Sequence, residues 1–189
     1  MPAQRGTKQL GSFRRDNPSV AIEMFDGVSE QLIGLLTDRR VDAILTIFGD
    51  DSASKFPSRV LFEESYVLAV PETHRFAQRK SVKLSDLRGE PFIVRARCVR
   101  YHDLTDALNS HGVELRVMYK TEHDDRALAL VAAGVGLALF PAHFEMPAVK
   151  KVVVSDLSLS RVIGLLWARE REGDLTEFIK FAESHSWTS

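Results

Sequence analysis

Apolar positions are densest between Arg126 and Pro141, where the chain reads RALALVAAGVGLALFP. Hydrophobic residues fall on every side of a short helix over residues 127–133, which predicts cover on more than one face. Gly134 stops the helix, since glycine suits the left-handed position that follows a helix end. An apolar strand over 135–140 comes next, and Pro141 ends it because proline lacks the N–H a ladder needs. Asp124 or Asp125 is the expected cap of the helix. A buried helix turning directly into a buried strand points to an α/β sheet.

The same order occurs earlier. Asn17-Pro18-Ser19-Val20-Ala21-Ile22-Glu23-Met24 reads as a strand after a helix end. A helix follows, with Val28, Leu32, Leu35 and Leu36 on one face. Ser29 is its expected N-cap, with Val28 and Ile33 as a hydrophobic staple. Residues 41–45 then read as a buried strand. In the second half, Leu104, Ala107 and Leu108 predict a helix stopped by Gly112, and 113–120 a strand. From Val20 to Val41 is 21 positions, and from Val113 to Val135 is 22. Helix, strand, helix, strand therefore recurs at nearly equal spacing, which predicts two similar α/β lobes.

Between the repeats, 59–71 reads as one long extended segment and 92–94 as a short strand. After the second repeat, 151–154 and 161–167 are strand candidates. A last helix begins near Asp174, with Glu177 three residues on as a capping box. Leu175, Phe178, Ile179 and Ala182 form its apolar stripe.

Composition narrows the function. With 44% hydrophobic and 27% charged residues, the 189-residue chain is of ordinary globular type. A formal net charge of -1 provides no broad basic field for nucleic acid. A single cysteine leaves no internal disulfide and suits a reducing compartment. No apolar run is long enough to span a bilayer, and the N-terminus lacks the apolar core of a signal peptide. The cytoplasm is the expected location. No nucleotide loop, zinc motif or nucleophile elbow is present. The six histidines, His74, His102, His111, His123, His143 and His185, show no ligand spacing, so no metal is expected. Cys98 is flanked by arginines that could lower its pKa, but no second cysteine exists to resolve an oxidised thiol.

Several segments, in order, resemble the effector-binding domain of LysR-type transcriptional regulators. They are NPSVAIEM, GVSEQLIGLLTDRRVDAILT, LFEESYVLAVPETHRFA, LSDLRGEPFIV, DDRALALVAAGVGLALFP and RVIGLLWARERE. The resemblance runs from about Leu10 to the C-terminus. No single motif is decisive, but six in order are specific as a set. It implies the fold of type-2 periplasmic binding proteins, in which two α/β lobes are joined by crossover strands around a ligand cleft. Lobe I is expected over 1–69 plus 163–189, and lobe II over 70–162. The resemblance also implies an antiparallel homodimer, in which the first helix and second strand of each lobe are used.

Two departures are visible. The winged helix-turn-helix that leads family members is absent, so DNA contact is expected only through a domain missing from this chain. The first strand of lobe I, whose loop in the family usually contributes a Ser or Thr to the effector, is also expected to be missing. The chain is therefore expected to be truncated relative to the family.

The best chemical lead is the alternate pair Arg95 and Arg97 after the strand 92–94. Ligands of open α/β sheets bind beyond the carboxyl ends of strands, and guanidinium forks suit a carboxylate or phosphate. A solvated charged loop is the competing reading. The resemblance places further strand ends on the same cleft, namely Thr46 and Phe48 from lobe I and His123 with Asp124 before the buried helix. Thr46 could equally be a strand-end hydroxyl bonded to backbone, and Phe140 reads as core. The expected function is binding of a small anionic effector, with no cofactor, no covalent step and no membrane. The alternatives are a stand-alone solute-binding protein and a small enzyme on the same fold. An enzyme would need an acid or base such as Glu63, Glu64 or Asp124.

Overall fold

The computed structural model describes residues 3–48, 55–96, 101–168, 173–185 and 187, with side chains omitted at 3–8 and 101. Helices α1 (Ala3–Asp16), α2 (Ser29–Thr37), α3 (Tyr101–Ser110), α4 (Asp124–Ala132) and α5 (Asp174–Ser184) alternate with eight strands. The strands are β1 (Ala43–Phe48), β2 (Ser58–Pro71), β3 (Ser81–Val82), β4 (Pro91–Arg95), β5 (Arg116–Thr121), β6 (Ala138–Pro141), β7 (Val149–Val154) and β8 (Ser160–Trp167). The chain forms two compact units, Met1–Glu63 with Val162–Ser189, and Glu64–Arg161. Strands β2 and β8 each run from one unit into the other.

In the first unit, β1 pairs antiparallel with β8, from Ala43 opposite Trp167 to Phe48 opposite Val162. Side chains alternate across this ribbon, as the pleat requires. Ala43, Leu45 and Ile47 join Ile163, Leu165 and Trp167 against Ile179 and Ala182 of α5. Ile44 and Phe48 turn the other way, toward Leu32, Ile33 and Leu36 of α2. Phe13 of α1 is buried, its ring 5.2 Å from those of Phe178 and Phe181.

The second unit repeats the logic with more strands. β2 pairs antiparallel with β6 and β7, β3 pairs parallel with β7, and β4 pairs parallel with β5. A parallel bridge from Phe92 to Leu137 brings the start of β6 beside β4. Even and odd positions separate two cores. Leu68, Val70, Phe92, Val94, Leu137 and Leu139 pack with Leu108 of α3. Val67, Ala69, Ile93, Ala138 and Phe140 pack with Ala127, Leu128 and Val131 of α4. Burial on both faces explains the continuous apolar runs of these strands.

Gly134 ends α4 with φ 75°, the left-handed value its position predicts. Gly136 has another reason to be glycine: a Cβ there would sit 2.8 Å from the Pro91 carbonyl oxygen.

Five local expectations are corrected. Residues 17–24 form no strand, because none of the described strands pairs with them, and Ile22 and Met24 are exposed, as are Phe25 and Val28 beyond them. Helix α4 is covered on one face only: Ala127, Leu128 and Val131 are buried while Asp125, Arg126, Ala129 and Ala133 are exposed. The N-cap of α4 is His123, and that of α2 is Val28, so Asp124 and Ser29 are first helical residues with their side chains used elsewhere. Gly173 caps α5 without a side-chain bond, and Glu177 instead reaches Lys180 at 2.9 Å.

Candidate functional site

Arg95 closes β4 and shares a face with Ile93, the face covered by α4. Its Nε donates to Asp124 Oδ1 at 2.7 Å and its Nη2 to Asp124 Oδ2 at 2.8 Å. This is the two-pronged geometry in which guanidinium and carboxylate match best. The guanidinium carbon also lies 4.3 Å from the centroid of the Phe140 ring, a cation–π distance. The arginine side chain is 9% exposed and the aspartate 52%. One partner is therefore anchored and the other faces water.

Asp124 stands in the first turn of α4, where the helix dipole favours negative charge. His123, exposed, precedes it and makes no side-chain cap bond. The His123 backbone N–H donates to Thr121 Oγ1 at 3.1 Å, and Ala96 N–H to the Thr121 carbonyl at 2.8 Å. Thr121 thereby ties the end of β5 to both neighbours. The result is a cationic group, a helix N-terminus and one carboxylate at a strand end. Such a cluster holds an anion if the carboxylate gives way, and holds its own carboxylate otherwise.

Thr46 and Phe48 belong to the first unit. Thr46 is buried on the α2 face, its hydroxyl 2.7 Å from the Ser29 hydroxyl, so its partner is a side chain. Phe48 lies partly buried against the α2 cluster, its ring over Gly164, where any Cβ would overlap it. Arg97 and Cys98 lie outside the described residues.

Sequence reasoning missed Ser29 as a partner of Thr46. It also missed a buried polar group in the second unit. Glu64 of β2 accepts from Arg161 Nε at 2.7 Å and from the His143 backbone N–H at 3.2 Å. Arg161 Nη2 lies 2.5 Å from Glu64 Oε1, and His143 Nδ1 lies 3.0 Å from Glu64 Oε2. The signal was available: Phe62, Glu64 and Tyr66 share the inward phase of β2, so the glutamate occupies an apolar position. With its carboxylate buried and shared among these donors, Glu64 is poorly placed to move protons. Asp124 is likewise held by Arg95. Among the described residues no group of three or more His, Cys, Asp or Glu could hold a metal ion, and no helix is long and apolar enough to cross a membrane.

The family model described as LysR substrate binding domain matches residues 4–186. The HTH-type transcriptional regulator TtuA of Agrobacterium vitis is 31% identical over 170 residues, covering 85% of this chain and 56% of that protein. The chain spans about half the length of the curated relatives it matches. HinK, a LysR family transcriptional regulator from Pseudomonas aeruginosa, superposes with a TM-score of 0.79 at 20% identity, covering 94% of this chain and 64% of that one. The effector binding domain of BenM with its effector benzoate superposes with a TM-score of 0.73 at 21% identity, covering 93% and 83%. Both likenesses concern the fold, which is the two-lobed α/β type of LysR effector-binding domains.

Proposed function

The chain belongs to the LysR substrate binding domain family, and on that premise we propose that it senses a small anionic metabolite and reports it to a DNA-binding helix-turn-helix in the cytoplasm. Binding is non-covalent, and no cofactor takes part. The single observation carrying the anion is the Arg95–Asp124 pair at the first turn of α4. A carboxylate effector fits by replacing the Asp124 carboxylate, which is half exposed and already shows the geometry an incoming anion would copy. Benzoate, the effector of BenM, is a carboxylate of this kind. We assign a further contact to His123, which stands exposed beside Asp124.

Calorimetry over a panel of small carboxylates and phosphates tests this reading. Arg95→Ala should weaken the best ligand by one to two decades, because a charge-assisted hydrogen bond is worth about 1.5–3 kcal/mol. Asp124→Asn should tighten it by removing the competing charge. Unchanged affinity in both variants would return the pair to a structural role.

The regulator is proposed to act as a homodimer. The apolar residues exposed along 20–28 and the exposed Val117, Met118 and Tyr119 of β5 support it. They would meet as α1 and 20–24 of one protomer pack on α3 and β5 of its partner, each contact occurring twice.

A further inference from the structure

Arg95 holds a mostly buried charge at a strand end, and its partner Asp124 is half exposed. Ion pairs open to water hold a side chain weakly, so this pair alone does not fix the guanidinium. The other contact is the Phe140 ring, whose centroid lies 4.3 Å beneath the guanidinium carbon. The two contacts differ in kind. Asp124 takes hydrogens of Nε and Nη2, at the edge of the guanidinium. The ring attracts the cation through the electrons of its face, and that attraction uses none of the N–H groups. An anion that replaces Asp124 therefore empties and refills the edge, while the ring contact persists.

The ring is itself fixed. Phe140 is buried, and its backbone lies in β6 opposite Val67 of β2. Leu128 and Val131 of α4 belong to the same packed cluster. Phe144 meets it at 5.5 Å and an interplanar angle of 61°, close to the edge-to-face arrangement that aromatic quadrupoles favour. Lys151 Nζ lies 5.0 Å from the Phe144 centroid, so a second cation sits on the neighbouring ring. Burial alone would accept leucine or isoleucine at position 140, but only an aromatic ring offers a face to a cation. We propose that Phe140 is the positioning residue of the anion site. It seats Arg95 with the hydrogen-bonding edge presented, whether Asp124 or an incoming carboxylate occupies that edge. This role rests on the reading of Arg95 as the anion contact. With one guanidinium face against the ring, the effector is taken edge-on, its two oxygens in the guanidinium plane as those of Asp124 are, which suits a flat carboxylate.

The seat is tested first without any ligand. Asp124→Asn removes the paired charge, and NMR relaxation of Arg95 Nε in the full chain reports whether the guanidinium stays ordered. With the native ring its order parameter should stay near the rigid value of about 0.85. A trifluorinated phenylalanine at position 140 changes the size little and removes the negative charge of the ring face, and the order parameter should then fall toward the flexible range below about 0.6. Singly and doubly fluorinated rings should fall between, in order. A ring that only fills space would give one value along the whole series, which makes the readout independent of the cavity that Phe140→Leu would open. Benzoate, titrated by calorimetry, is the probe of the second arm. The trifluorinated ring should weaken it by about 5- to 30-fold. Order lost in Asp124→Asn with the native ring, order unchanged along the series, or benzoate binding that needs Arg95 but ignores the series would each overturn the proposal. Benzoate affinity indifferent to Arg95→Ala would instead sink the anion reading, whatever the order parameter shows about the seat.

Discussion

Glu64 and Arg161 are 97 positions apart in sequence, yet Arg161 Nε lies 2.7 Å from Glu64 Oε1, and both residues are buried. They are the first and last residues of the second unit. The pair therefore joins the two strands at the points where the chain enters and leaves that unit. Removing one partner strands a buried charge, which costs about 3–5 kcal/mol. Glu64→Leu and Arg161→Met should each lower the denaturation midpoint steeply. The double variant should recover most of the loss, because an apolar pair needs no compensating charge. Additive losses in chemical denaturation would show that the two residues are not coupled.

Helix α4 separates two substitutions that its sequence makes look alike. Val131 is fully buried, whereas Ala132 is only partly so. Val131→Asp should give insoluble or unfolded protein, since an unpaired buried carboxylate is among the largest destabilising changes. Ala132→Asp should fold with a modest loss of about 1–2 kcal/mol. Equal behaviour in expression and thermal melts would mean that the helix is not oriented as described.

Gly164 is the floor beneath the Phe48 ring. Gly164→Ala should push the ring off β8 and cost about 1–3 kcal/mol, as overpacking does. Phe48→Ala combined with Gly164→Ala should cost no more than Phe48→Ala alone, because the clash is gone. A Gly164→Ala protein as stable as the parent would mean that the ring lies elsewhere.

Strand β5 gives the assembly prediction. Its outer residues Arg116, Val117, Met118 and Tyr119 are exposed, and β4 is its ladder partner. Met118→Lys and Arg116→Glu should leave the melting curve intact and weaken self-association, each change counting twice in an isologous pair. Sedimentation at several concentrations measures this. A parent chain that stays monomeric at high micromolar concentration would refute the dimer.

The parts legible in the sequence were those set by neighbours along the chain. The apolar run at 126–141, the stop at Gly134 and the short apolar strand at 92–94 follow from local hydrophobicity and glycine geometry. The misread parts depend on partners. Val20 to Met24 has strand-like residues but no described strand to pair with, and a strand without a ladder is not one. Ser29 and Asp124 looked like caps because cap preference is local, but Thr46 and Arg95 compete for them from 17 and 29 positions away. For the candidate site, the sequence offered residues but not the bonds among them. Arg95 and Asp124 were both chosen as ligand contacts, and nothing in their spacing revealed that they hold each other.

The two units also differ in how their chain is cut. The second is a single uninterrupted stretch, Glu64–Arg161, while the first needs Val162–Ser189 to finish it. Among the described residues, strand β1 finds its ladder partner in β8, and Phe13 its ring neighbours in α5. During synthesis from the N-terminus, lobe II can close while lobe I still waits, with α1, α2 and β1 lacking their cover. Loop-closure entropy makes such long-range pairings late and slow. A lesion within Val162–Ser189 would then spare the second unit and leave α1, α2 and β1 without their cover, so a change late in the chain is felt by elements made early.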